Sequence, residues 1–166
     1  VQHARRQRVG GGKSVSGDMT ILRLGPGDLG LMDGLLAMFG TAFGEADTYG
    51  RARPSADYQR RLLGDPCFVA LASVAEGRVV GGLAAYELRK FEQERSEFYI
   101  YDLAVAETHR RRGLATALIG RLKEIAAERG AYVVFVQADY GDDAAIALYS
   151  KLGTREDVLH FDIAVR

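Results

Sequence analysis

The feature that most limits how this chain can fold is a long amphipathic helix set between two apolar strands. From Gly113 to Arg129, Leu114, Leu118, Leu122 and Ile125 recur at helical spacing, while Arg121, Lys123, Glu124 and Glu128 lie elsewhere on the helix. Gly130 follows as a C-terminal stop. Phe98 to Val105, before the helix, is rich in aromatic and branched residues. Tyr132 to Val136, after it, is almost wholly apolar, as a strand covered on both faces is. A strand, a helix and a second buried strand make a crossover unit. The two strands are therefore expected side by side and parallel, with the right-handed connection that such units adopt.

Around that unit the chain predicts further elements. Thr20 to Leu24 reads as a first strand. Asp28 is placed to cap a helix carrying Leu31, Leu35, Leu36 and Phe39, with Gly40 and Gly44 as breakers. Ser55 and Asp57 open a short helical stretch to Leu63. Cys67 to Ala72 and Arg78 to Leu88 form a hairpin around Glu76-Gly77. Glu92 to Glu97 is a polar loop. Asp142 or Asp143 starts a helix through Lys151, and Gly153 stops it. Val158 to Val165 alternates and is expected to close the sheet. The fold class is α/β (α+β): a mixed, mostly antiparallel sheet with helices on both faces.

At 166 residues the chain is expected to hold one domain, residues 18–166, behind an unstructured leader, residues 1–17. The leader is basic and glycine-rich, with no apolar stretch of a signal peptide. Gly12-Lys13-Ser14 is not a phosphate loop, because the glycine required five residues earlier is Gln7. Lysine plus arginine and aspartate plus glutamate both number 22, so net charge points to neither nucleic acid nor an anionic membrane. No apolar run approaches the roughly 18 residues of a membrane span. A single cysteine, Cys67, suits a reducing cytoplasm, and a buried free thiol is a commoner role for it than a nucleophile. His3, His109 and His160 show no metal-ligand spacing with one another or with Cys67, so no metal is expected.

Chemistry concentrates where the central strand meets the long helix. Tyr101-Asp102-Leu103-Ala104-Val105 is followed by Arg110-Arg111-Arg112-Gly113-Leu114-Ala115-Thr116. The first N–H groups of a helix lack internal partners and its dipole is positive there, so arginines and small residues at that point form an anion site. A solvated basic turn is the competing reading. Asp139, Asp142 and Asp143, with Tyr140, follow the second buried strand at its C-terminal end, where open α/β sheets receive ligands. Helix capping by Asp142 or Asp143 is compatible with that use.

Arg110-x-x-Gly113-x-Ala115 resembles the Gln/Arg-x-x-Gly-x-Gly/Ala signature of the GNAT acetyltransferases. Ala147-Leu148-Tyr149-Ser150-Lys151-Leu152-Gly153 resembles that superfamily's block in which a helix tyrosine faces the cofactor thiol. Two further segments look like the aminoglycoside 3-N-acetyltransferase (gentamicin acetyltransferase) branch. These are Phe91-Glu92-Gln93 through Val105, and Val136-Gln137-Ala138-Asp139-Tyr140-Gly141-Asp142-Asp143. The likeness runs from about Thr20 to Val165. It implies the GNAT fold and direct transfer of an acetyl group from acetyl-CoA to an aminoglycoside amine, here the 3-amino group, with drug resistance as the result. It also implies a homodimer as one arrangement.

Carried onto this chain, the resemblance implies that Arg110, Arg111, Arg112, Gly113, Leu114, Ala115 and Thr116 hold the pyrophosphate. Leu103, Ala104 and Val105 would pair with the pantothenate arm as an added strand does. Tyr149 would stabilise the departing thiolate. An ammonium acceptor must lose a proton before it can attack. Asp102 is the first choice of base and Glu97 the second, with Asp102, Asp139, Tyr140, Asp142 and Asp143 attracting a polycation. Tyr99, Tyr101 and Tyr132 are candidates for the acceptor wall, and His160 could reach it from the last strand. Alternatives from the sequence are a GNAT enzyme for a polyamine or protein N-terminus, and a non-catalytic acyl-CoA-binding module.

Overall fold

The computed structural model describes residues 13–15 and 19–165. The chain divides into two compact units, residues 1–136 and 137–166. In the first, a six-stranded sheet runs in sequence order: β1 (Lys13–Val15), β2 (Met19–Arg23), β3 (Phe68–Ala75), β4 (Arg78–Arg89), β5 (Ser96–Val105) and β6 (Ala131–Val136). Every neighbouring pair is antiparallel except β5 and β6, which are parallel as the crossover pattern requires. The helices of this unit are α1 (Leu29–Phe43), α2 (Ala46–Gly50), α3 (Ala56–Gly64) and α4 (Leu114–Glu128). The second unit contains α5 (Asp143–Leu152).

Two adjacent glycines of β4 explain the layering. A β-carbon on Gly82 would overlap the Leu35 side chain of α1, and one on Gly81 would lie 3.3 Å from Leu114 of α4. Successive strand residues face opposite ways, so α1 and α4 cover opposite faces of the sheet. On the α1 side, Leu35, Met38 and Phe39 pack with Phe68, Ala70 and Ala72. On α4, Leu114, Leu118, Leu122 and Ile125 are all buried, as their spacing predicts.

Several boundaries differ from the sequence reading for local reasons. α1 continues through Gly40 to Phe43 and ends only at Gly44, whose left-handed backbone (φ 69°) makes the turn. Asp28 precedes α1 but does not cap it; its carboxylate accepts from the Gly25 N–H at 2.8 Å instead. Ser55 does cap α3, accepting from Tyr58 N–H at 3.2 Å. The five-residue helix α2 was not foreseen, since it buries no residue and so carries no apolar stripe. Most of the expected leader, residues 1–17, lies outside the described residues; Lys13–Val15 are described and form a strand.

The expected last strand, Val158 to Val165, is a correction: residues 153–165 form neither strand nor helix. Leu159, Phe161, Ile163 and Val165 are exposed. Alternation specifies two faces for a strand, but it supplies no hydrogen-bonding edge to pair with. Gly82→Ala should test the α1 contact. It is expected to lower stability by about 1–3 kcal/mol through overpacking, read as a lower denaturation midpoint with an unchanged slope.

Candidate active site

β5 carries one more residue than β4 in its central register. Ala84 pairs with Asp102 and Ala85 with Ile100, which leaves Tyr101 as a bulge. Because of it, Tyr99 (opposite Tyr86) and Asp102 (opposite Ala84) share the α1 side of the sheet although three positions apart. Without the extra residue Asp102 would follow Phe98 and Ile100 into the interior on the α4 side. Sequence alone did not reveal this bulge.

Asp102 is half-buried. Burial pushes its carboxyl above the ordinary aspartate value, a hydrogen bond from Tyr49 partly opposes that, and the charge of Glu45 adds to it. The Tyr49 hydroxyl donates to Asp102 Oδ2 at 3.0 Å. Tyr86, Tyr101 and Tyr99 continue as a row of edge-on rings with centroids 5.9 Å apart, and Tyr99 stacks on Phe135 at 5.0 Å. Tyr101 is exposed. Glu97 stands toward the other end of β5, accepting a hydrogen bond from Tyr132 at 2.6 Å and lying 3.7 Å from Lys90 Nζ.

The β5–β6 register ends at Ile100 and Val136. Beyond it, Asp102 to Val105 pair with β4 on one side, and no strand among the described residues pairs with them on the other. Leu103, Ala104 and Val105 therefore present a backbone edge that an extended ligand can join. Past that edge a short turn leads into α4. Arg111 and Gly113 both have positive φ, 61° and 76°. Gly113 immediately precedes the helix, leaving the N–H groups of Leu114, Ala115 and Thr116 without helical partners. No atom lies within 4 Å of where a β-carbon on Gly113 would stand. Arg111 and Arg112 are exposed and unpaired with any carboxylate among the described residues, whereas Arg110 Nε donates to the Val105 carbonyl at 3.2 Å. Such a turn fits an anion and open space fits its bulk, so these residues suit a pyrophosphate group.

A groove of about 540 Å³ lies between α1, the β3–β4 turn and the segment after β5. Gly30, Gly34, Ala37 and Thr41 line its α1 wall, with Ala106 and Arg110 opposite. The sequence signal for it was the small residues on the helix flank beside the leucine stripe. Tyr49 was also missed, because α2 has no periodic pattern.

In the second unit, Asp142 caps α5, its Oδ1 accepting from Ala145 N–H at 3.0 Å. Asp139, Tyr140 and Asp143 are exposed. Tyr149 lies on α5 with its hydroxyl pushed above the usual tyrosine value, by burial first and by the charge of Asp142 second. His160 pairs with Asp162 at 3.1 Å in the irregular segment rather than on a strand. Among the described residues no group of three or more histidine, cysteine, aspartate or glutamate side chains could hold a metal ion. No helix there is long and apolar enough to cross a membrane.

Residues 34–154 match the model of the acetyltransferase (GNAT) family. The chain belongs to that family. Among solved structures, an aminoglycoside acetyltransferase, HMB0005, from an uncultured soil metagenomic sample superposes with a TM-score of 0.88 and 61% identity, over 89% of this chain and 99% of that one. A second soil-metagenome aminoglycoside acetyltransferase, meta-AAC0020, solved with sisomicin, gives a TM-score of 0.84 at 30% identity, over 92% of this chain and all of the other. Acetyltransferase SG1711 of Sodalis glossinidius is 34% identical over 99 residues, a match spanning 60% of this chain and 65% of that relative's length.

Gly113→Ala isolates the backbone requirement of the turn. With no neighbour to collide with, the substitution should cost about 1–2 kcal/mol from the left-handed conformation alone, measured as a lower melting temperature with native-like circular dichroism.

Proposed function

We propose that this GNAT protein transfers an acetyl group from acetyl-CoA to an amino group, the 3-amino group, of an aminoglycoside. The observation that carries the reading is a half-buried carboxylate, Asp102, directed to one sheet face immediately before the β5 segment whose outer edge no strand among the described residues pairs with. The likeness to two aminoglycoside acetyltransferases supports the acceptor class.

Acetyl-CoA, when bound, supplies an activated acetyl thioester. Arg111, Arg112 and the free N–H groups of Leu114, Ala115 and Thr116 are the groups that would hold its pyrophosphate. The backbone of Leu103 to Val105 would take the pantothenate arm. Asp102 attracts the acceptor's ammonium and removes its proton, and a carboxyl raised by burial is a better base than an ordinary aspartate. Glu97, beside Lys90 toward the other end of β5 and away from the unpaired segment, is the second choice of base. Tyr149, whose hydroxyl keeps its proton at neutral pH, serves as donor to the departing sulfur. Asp139, Tyr140, Asp142 and Asp143 contribute attraction for a polycation.

The test is thiol release from acetyl-CoA with gentamicin, spermidine and a peptide amine as parallel acceptors. Release with gentamicin alone is expected; release only with spermidine or the peptide would overturn the acceptor assignment. Asp102→Asn should lower kcat by roughly 10²–10⁴-fold without lowering the melting temperature. The base works only when ionised. Wild-type kcat/KM should therefore fall as pH drops through a carboxyl pKa that lies above the usual aspartate value.

A further inference from the structure

The hydroxyl of Tyr49 has one partner. It donates to Asp102 Oδ2 at 3.0 Å, across 53 residues of sequence. The ring of Tyr49 has a separate explanation. It packs on Phe39 (6.1 Å) and Phe43 (5.8 Å), which themselves stack at 5.5 Å. A phenylalanine would meet those rings equally well, so packing accounts for the aromatic ring and leaves the oxygen to be explained.

The chain builds a support for that oxygen. Gly44 turns the backbone back after α1, and Glu45 N–H donates to the Gly40 carbonyl at 3.0 Å. A β-carbon on Gly40 would stand 3.1 Å from Tyr49 Cβ, so only glycine lets α2 come this close to α1 without a shift. α2 buries no residue of its own. The hydrogen bond to β5 and the ring contacts are therefore what this short helix contributes.

We infer that Tyr49 is a positioning residue for the Asp102 carboxylate, holding Oδ2 so that Oδ1 is presented to the incoming amine. The inference rests on the reading of Asp102 as the base. A carboxylate held by one oxygen cannot rotate freely, and proton transfer depends on orientation before it depends on basicity. The donor is dependable: burial, then the charge of Asp102, push the Tyr49 hydroxyl well above the usual tyrosine value, so it stays protonated throughout the working range. The other groups around the carboxylate are Glu45 before α2, Tyr86 on β4, and Tyr99 and Tyr101 on β5. Of these Glu45 alone carries charge, and it raises the Asp102 pKa, opposite in sign to the effect of Tyr49.

The experiment compares Tyr49→Phe and Asp102→Asn with the wild-type protein, by gentamicin acetylation across pH and by carbon NMR titration of labelled aspartate carboxyls. Tyr49→Phe keeps the ring and removes the donor. Its kcat/KM should fall by roughly ten- to a hundredfold, the scale of one hydrogen bond to a charged group, with KM for acetyl-CoA unchanged. Its acid limb, and the Asp102 carboxyl resonance, should both move to higher pH. A Tyr49→Phe variant with wild-type kcat/KM, or with an unmoved Asp102 titration, would overturn the positioning role while an inactive Asp102→Asn preserved the base. Full activity in Asp102→Asn would sink the base reading itself, and with it the proposal.

Discussion

Where β4 and β5 pair, Ala84 and Ala85 are consecutive while their partners, Asp102 and Ile100, are not. That one unmatched residue sets the direction of every β5 side chain after it. It turns Asp102 away from the interior, where Phe98 and Ile100 are sealed under α4, and toward the face shared with α1. A carboxylate driven into that apolar interior would be neutralised or would destabilise the fold. On the α1 side it is half-buried and partnered by the Tyr49 hydroxyl, with its pKa raised above the ordinary aspartate value. The bulge also leaves Tyr101 exposed between Tyr86 and Tyr99, so the same irregularity lays a row of rings beside the carboxylate.

The second consequence concerns strand ends. β6 accompanies β5 only to Ile100, so no strand among the described residues pairs with the outer edge of Leu103 to Val105, where the Val105 carbonyl accepts from Arg110 Nε. The chain then turns through Arg111 and Gly113, both in left-handed conformations, into the positive end of α4. Such an edge and a helix start only a few residues apart match a ligand with an amide-bearing arm and a phosphate group. Gly81 and Gly82 make this arrangement possible from behind, because they let α4 and α1 close on the sheet from opposite sides.

Much of the fold was legible in the sequence, and for identifiable reasons. The stripe Leu114, Leu118, Leu122 and Ile125 is wholly buried, and the apolar run in β6 pairs parallel to β5. The α4 stripe has a strong period and a clear stop, so local chemistry and tertiary packing agree there; β6 pairs as expected but is not covered on both faces, since Tyr132 and Val133 are exposed. Elements without a period were misread or missed. α2 buries nothing, and Gly40 looked like a helix breaker although α1 needs it as a close-approach site. The segment 158–165 has a strand's alternation without strand pairing.

By itself, then, the sequence determined the crossover unit, the helices with an apolar stripe, the anion-friendly helix start and the candidacy of Asp102, since each depends on residues near one another in the chain. Only the tertiary structure decided which way Asp102 faces, that Tyr49 meets it, and that β5 and β6 part after Ile100. Those facts are set by register and by contacts across long stretches of chain, as in the separation of 53 positions between Tyr49 and Asp102. A one-residue change in register reverses a strand's faces without altering its composition, which is why no local pattern could have announced them.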